Sequence, residues 1–199
     1  MVKQSITRAL AELKLYDKKI NDKTRAFNFG CVKTPTMNYP SGKTREQYVL
    51  DEQGALKSIQ DLIDNRSKLK TAIMVSNATT TVTIGGVKMT VAAAIEQKQS
   101  IGYKLNLLQK LQRAALELTT SYNRTNEEYQ KRLDVLLKDK KGSDIKTAQD
   151  AFDGLNKPEL IDTIGYEQVI KDLADAIDTF NTEVDFVLSE SNAKTEIEV

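Results

Sequence analysis

The chain has 199 residues, with 29 Lys and Arg against 28 Asp and Glu, 40% apolar residues, three Pro, nine Gly, one Cys and no His or Trp. That length and balance suit one folded body with a core of its own and exclude a chain disordered throughout. The missing His excludes Ser-His-Asp and Cys-His nucleophiles and imidazole-ligated metals, and the single Cys31 excludes an intrachain disulfide framework and Cys-based zinc or iron–sulfur sites.

Ile6, Ala9, Leu13, Tyr16 and Ile20 advance by three or four residues, which lines one face of a helix and predicts a first helix from about residue 5 to 23. The periodicity then stops. RAFNFGCVKTPTMNYPSG carries two Pro, two Gly and the large side chains Phe27, Phe29, Met37 and Tyr39. A loop of this length is uncommon in a compact domain. It reads either as a docking segment, with Phe27, Phe29 and Tyr39 as candidate contact residues, or as a strap whose aromatics cover the helices. Thr44 opens the next helix, and Gln47 three residues on completes a capping box. Val49, Leu56, Ile59, Leu62, Ile63, Leu69 and Ile73 are expected to form its buried stripe, running to about Val75.

TVTIGGVKMT, residues 81–90, predicts a β-hairpin, because two β-rich runs flank a Gly-Gly pair that suits a two-residue loop with positive φ. With Gly85-Gly86 as the loop, Ile84 faces Val87 and Val82 faces Met89, so these four apolar side chains share one face. Thr81, Thr83, Lys88 and Thr90 share the other. A lone two-stranded hairpin is marginal in water, so the apolar face requires helices, another strand or a partner chain. Val82, Ile84, Val87 and Met89 are therefore candidate docking residues.

Thr90 is placed to cap a third helix with the stripe Ile95, Ile101, Leu105, Leu108, Ala115, Leu118, Tyr122, Tyr129, Leu133 and Leu136. Unbroken from 91 to 139 it would measure roughly 70 Å, with Gly102 and the polar stretch 119–126 as candidate bends. DKKGSD at 139–144 predicts a turn, a short helix is expected over 145–152, and Gly154 and Pro158 end that region. Tyr166, Ile170, Leu173, Ile177, Phe180, Val184 and Val187 then alternate four and three, the grammar of a coiled coil, to about Ser189. SNAKTEIEV alternates with Thr195, Ile197 and Val199 on one side, which predicts a terminal strand. Such a strand could pair with the hairpin's open edge in the same or another chain, which adds Ile197 and Val199 to the candidates.

The expected fold is mainly α: an elongated antiparallel helical bundle or coiled coil, one domain over 1–199. A hairpin appendage stands at about 79–90, and a strand-like tail at 190–199 can join it.

Ser41-Gly-Lys-Thr44 matches the end of a phosphate-binding loop, but the first Gly of GxxxxGK(S/T) would fall at Met37 and no strand precedes it. It reads as a helix start. Asp172, Asp175 and Asp178 recur along one side of the last helix, where a hard cation or a plain solvated acidic face are the two readings, the face being the simpler. No catalytic, cofactor-binding, metal-binding or small-molecule site is expected. Charge is uneven along the chain: ten basic residues against three acidic over 1–45, fifteen against eleven over 46–143, and four against fourteen over 144–199. Compensation within one folded body and head-to-tail attraction between copies both follow from it. Nucleic-acid binding is disfavoured, because the N-terminal basic residues interleave with acids and apolar positions. Apolar runs are too short to span a bilayer, and MVKQSITRALAELK lacks the apolar stretch of a secretory signal, so synthesis in the cytosol is expected.

Three stretches, ALAELKLYDKKIN, IDNRSKLKTAIMVSNATTTVTIGGVKMTVAAAIEQK and DFVLSESNAKTEIEV, occur here in order. Together they resemble a family of small helical proteins of tailed bacteriophages and prophages regarded as virion structural components. The middle stretch is also similar to the septicolysin-like family, with Ala93 where that pattern has Glu. The first resemblance implies a non-enzymatic structural protein of the virion (tail, neck or capsid), made in the host bacterial cytoplasm and partnered by copies of itself and other virion proteins. A soluble cytosolic adaptor that binds one partner protein is the alternative expectation. A membrane-acting toxin is a third, disfavoured by helix faces that mix both charge signs.

Overall fold

The computed structural model describes residues 3–198. Helices dominate: α1 (Ile6–Ala26), α2 (Arg45–Thr79), α3 (Val91–Leu137), α4 (Ser143–Asn156) and α5 (Tyr166–Lys194). Among the described residues four short strands complete the architecture, β1 (Lys3–Ser5), β2 (Thr81–Ile84), β3 (Val87–Thr90) and β4 (Glu196–Glu198). The mainly α fold expected from the sequence is the fold observed. The chain divides into two compact units, one built from the chain up to Lys98 and from Thr182 on, the other from Gln99–Asn181.

In the first unit α1 and α2 form an antiparallel helical hairpin. Arg66 Nε donates to Asp17 Oδ1 at 2.5 Å and Lys23 Nζ to Ser58 Oγ at 2.7 Å, which fixes their register. Ile6, Ala9, Leu13, Leu69, Ile73 and Ile197 make one buried cluster, with Tyr16 and Ala72 packed against it. A fully buried Ile or Leu contributes about 1.5–3 kcal/mol relative to an exposed one, so this cluster is the main source of cohesion between the two helices and the C-terminal strand.

β4 pairs antiparallel with β1, setting Gln4 opposite Ile197, and the Ile6 amide extends the ladder to the Thr195 carbonyl at 3.0 Å. The expectation that the terminal strand joins the hairpin is therefore corrected: β2 and β3 remain a two-stranded sheet, and β4 clasps the start of the chain. The reason is packing. With Gln4 opposite it, Ile197 reaches the α1/α2 cluster directly.

The hairpin has the expected register, Val82 opposite Met89 and Ile84 opposite Val87, and Gly85 and Gly86 take φ of 57° and 76°. The Val91 amide donates to the Thr80 carbonyl at 2.9 Å and the Ala93 amide to the Thr90 hydroxyl at 3.1 Å, so the hairpin's last residue caps α3. The capping box at Thr44 and Gln47 is formed in both directions.

The α2 stripe differs from expectation. Ile59, Leu69 and Ile73 are buried and Leu62 is half-buried, but Val49, Leu56 and Ile63 remain exposed. Lys23, near the end of α1, already meets Ser58, so Val49 lies beyond the end of α1, whereas Ile63, between Ser58 and the Arg66 that meets Asp17, runs alongside α1 on a face that α1 does not cover. α3 is helical through both Gly102 and 119–126. Of its expected stripe Tyr129 and Leu133 are buried, six positions are half-buried, and Leu105 and Leu136 are exposed. All seven positions of the α5 stripe are at least half-buried, with Ile177, Phe180 and Val184 fully so.

Within the second unit the Tyr129 hydroxyl donates to Asp153 Oδ1 and its ring stacks on Phe152, centroids 5.7 Å apart, which ties α4 to α3. That hydrogen bond, with burial and the Asp153 charge, pushes the Tyr129 hydroxyl up to about 12. Asp162 accepts from the amides of Ile164, Gly165 and Tyr166 ahead of α5, and these bonds hold its carboxyl below the ordinary range.

Candidate interaction surfaces

The four apolar side chains of the hairpin do not share one fate. Val82 and Ile84 are buried in the first unit, Met89 is half-buried, and Val87 is 59% exposed. The tip is held against α5, where a Glu183 carboxylate oxygen accepts from the Gly85 amide at 2.7 Å. Val82 and Ile84 thus serve the chain's own packing, which leaves Val87, and in part Met89, as the surface a partner could meet.

The segment between α1 and α2 is extended except for a short 3₁₀ turn at Pro40–Gly42. Tyr39 is half-buried and pairs with Tyr48 on α2, ring centroids 5.9 Å apart, while Lys33 Nζ lies 5.1 Å from the Tyr39 ring centroid. Phe27 is half-buried, whereas Phe29 is 95% exposed and Val32 is exposed alike. The strap therefore covers α2 with part of its aromatic content and presents the rest outward. Between strap and helix lies a cleft of about 540 Å³ lined by Phe27, Phe29, Tyr39, Tyr48, Val49 and Leu56 among others. Burial raises the Tyr48 hydroxyl above the ordinary tyrosine value, and the adjacent Cys31 and Glu52 add to the shift. Lys43, the lysine of the near-match to a phosphate-binding loop, bonds Asp51 at 2.6 Å, and the neighbouring Thr44 caps α2. Both groups are engaged in starting a helix.

Ile197 is 7% exposed within the core, so its place among candidate contact residues is corrected to a structural one. Val199 lies outside the described residues. Asp172, Asp175 and Asp178 are all exposed, and among the described residues no group of three or more His, Cys, Asp or Glu is arranged to hold a metal ion. No helix among the described residues is long and apolar enough to cross a membrane.

Folding also redistributes the charge. The first unit joins the basic N-terminal segment to five of the fourteen acids of the C-terminal one, 17 basic residues against 14 acidic in all, and the second unit has 12 against 14. Lys3–Glu198 at 3.4 Å and Lys98–Asp185 are ion pairs inside the first unit. The steep gradient along the sequence is reduced to a small net charge in each unit.

The exposed side chains Val49, Leu56 and Ile63, each seven residues from the next, were assigned to the core by the sequence and form a surface it did not reveal. Its signal in the sequence is the seven-residue spacing itself, which sets this row on a face of α2 beside the one that carries Leu62, Leu69 and Ile73. No protein-family model, curated protein or solved structure matches this chain.

Proposed function

We propose that this protein is a non-enzymatic structural component of a bacteriophage virion that works in many copies. The observation that carries the reading is apolar surface in excess of what the fold uses. The core cluster is closed by the chain's own terminal strand, yet Phe29, Val32, Val87 and the Val49–Leu56–Ile63 row stay exposed. Phe29, Val49 and Leu56 line one cleft, and exposed apolar side chains gathered in one place mark sites of association. The sequence resemblance to tailed-phage structural proteins supports the same reading and supplies the particle. Because each unit is nearly charge-balanced, association through apolar faces is favoured over attraction between opposed ends.

The test is composition of the particle. Quantitative mass spectrometry of gradient-purified phage particles from the host that encodes this chain should find it at a fixed stoichiometry of several copies. Its absence from particles, together with one-to-one retention by a single soluble protein, would replace the reading with that of an adaptor.

A further inference from the structure

α2 carries two seams. One faces α1 and is buried through Leu69 and Ile73. The other runs Val49, Gln53, Leu56, Gln60, Ile63 and Ser67, a strict four-three alternation in which all six side chains are exposed, the apolar three at 42%, 43% and 47%. Four-three spacing keeps one stripe in line with a supercoiled partner helix, and it makes Val49, Leu56 and Ile63 d positions and Gln53, Gln60 and Ser67 a positions.

We propose that two copies of this chain pair in parallel along this second seam of α2, with Val49, Leu56 and Ile63 each packed on its own counterpart. The pairing rests on the multi-copy reading above and names its first contact. Two features select a second copy in this orientation. In a parallel pair d meets d and a meets a, so apolar layers alternate with polar ones in which Gln53, Gln60 and Ser67 each face their own counterpart. Reversing one helix brings d against a, which would set Leu56 against Gln60 and Ile63 against Gln53 and leave every apolar residue facing a polar one. The flanking charges agree. Glu52 occupies a g position and Lys57 the following e position, and g meets the next e of the partner in a parallel pair, so the two-fold generates two Glu52–Lys57 contacts between copies. The strap and α2 wall a cleft of about 540 Å³ at Val49, Gln53 and Leu56, so the partner's first layers enter between strap and helix, and Ile63 stands clear of the cleft. Polar a layers make such a pair weaker than an all-apolar one and fix its register.

The test uses the full chain with Cys31→Ser and, one at a time, Val49→Cys, Leu56→Cys, Ile63→Cys and the control Asp61→Cys on another face of α2. Mild oxidation should give disulfide-linked dimers at 49, 56 and 63 and none at 61, since d positions in a parallel pair approach within disulfide range. Crosslinking at Leu56→Cys alone, or equally at Asp61→Cys, overturns the parallel seam. An oligomer by light scattering with no crosslink at the three d positions overturns the seam and leaves the multi-copy reading standing, whereas a monomer at every concentration overturns both. An independent arm avoids the apolar residues: Lys57→Glu should weaken dimerisation about fivefold and Glu52→Lys with Lys57→Glu should restore it. Equal dimerisation by Lys57→Glu and the unmodified chain contradicts the pairing of the charges.

Discussion

Ile197→Ala probes the clasp between the two ends of the chain. Ile197 is 7% exposed, sits opposite Gln4 in the β1–β4 pair and belongs to the cluster of Ile6, Ala9, Leu13, Leu69 and Ile73. Truncating a buried Ile to Ala typically costs 2–5 kcal/mol, and a residue at the edge of its cluster, on a three-residue strand that can relax, belongs in the lower part of that range, about 2–3 kcal/mol. For a chain of this size that corresponds to a fall in Tm of about 4–12 °C. Urea unfolding followed by far-ultraviolet circular dichroism measures it, with Val87→Ala on the exposed side of the hairpin as a control expected within about 0.5 kcal/mol of the unmodified chain. Protein concentration separates two arrangements of the strand. A clasp within one chain gives the same loss at every dilution, whereas a strand donated to a neighbour's hairpin gives a loss that shrinks as the assembly dissociates. A cost under about 1 kcal/mol, or one that depends on concentration, would refute the clasp.

Thr44, Tyr129 and Asp162 each supply a further test. Thr44→Ala removes the cap of α2 and should lower stability by about 1 kcal/mol in the same urea assay, with Thr44→Asp retaining most of it. Tyrosinate absorbance titrated against pH should show one tyrosine with a pKa near 12 that moves toward the ordinary value in Asp153→Ala. Because the neutral form of Tyr129 is favoured in the folded state, its contribution to stability is complete below about pH 10 and should be lost between about pH 10 and pH 12, a loss absent from Tyr129→Phe. Asp162 has the opposite sign: its folded-state pKa is depressed, so its contribution is present above the unfolded value near pH 4 and fades as pH falls below it, and Asp162→Asn should flatten the acid limb of the stability curve.

The elements whose cause is local were legible in the sequence. The hairpin register followed from Gly85-Gly86 and the alternation around it, the α2 start from Thr44 and Gln47, and the α5 stripe from its unbroken four-three spacing. Burial was less legible, because a periodic apolar stripe states that a helix has a face and not which helix covers it. Val49, Leu56 and Ile63 read the same as Ile59, Leu69 and Ile73 until α1 is laid along one face of α2 and leaves the neighbouring face open. The pairing of β4 with β1 depends on where α1, α2 and α5 bring the two ends, and Lys3–Ser5 alone is too short to announce a strand. Asp162 carries no pattern signal, since its role comes from a loop that folds three amides onto one carboxylate. Among the candidate surfaces, Phe29 and Val87 are exposed as a contact residue must be, while Val82, Ile84 and Ile197 turned inward.

The most direct test of the central claim is the absolute mass of the purified full-length protein, by light scattering after size exclusion at low and high salt and over a range of concentrations. Association through apolar faces predicts a discrete oligomer, at least a dimer, that persists at high salt, because screening weakens charge contacts and leaves apolar burial intact. A monomer under every condition would contradict the multi-copy account, and an oligomer that disperses as salt is raised would contradict its apolar basis.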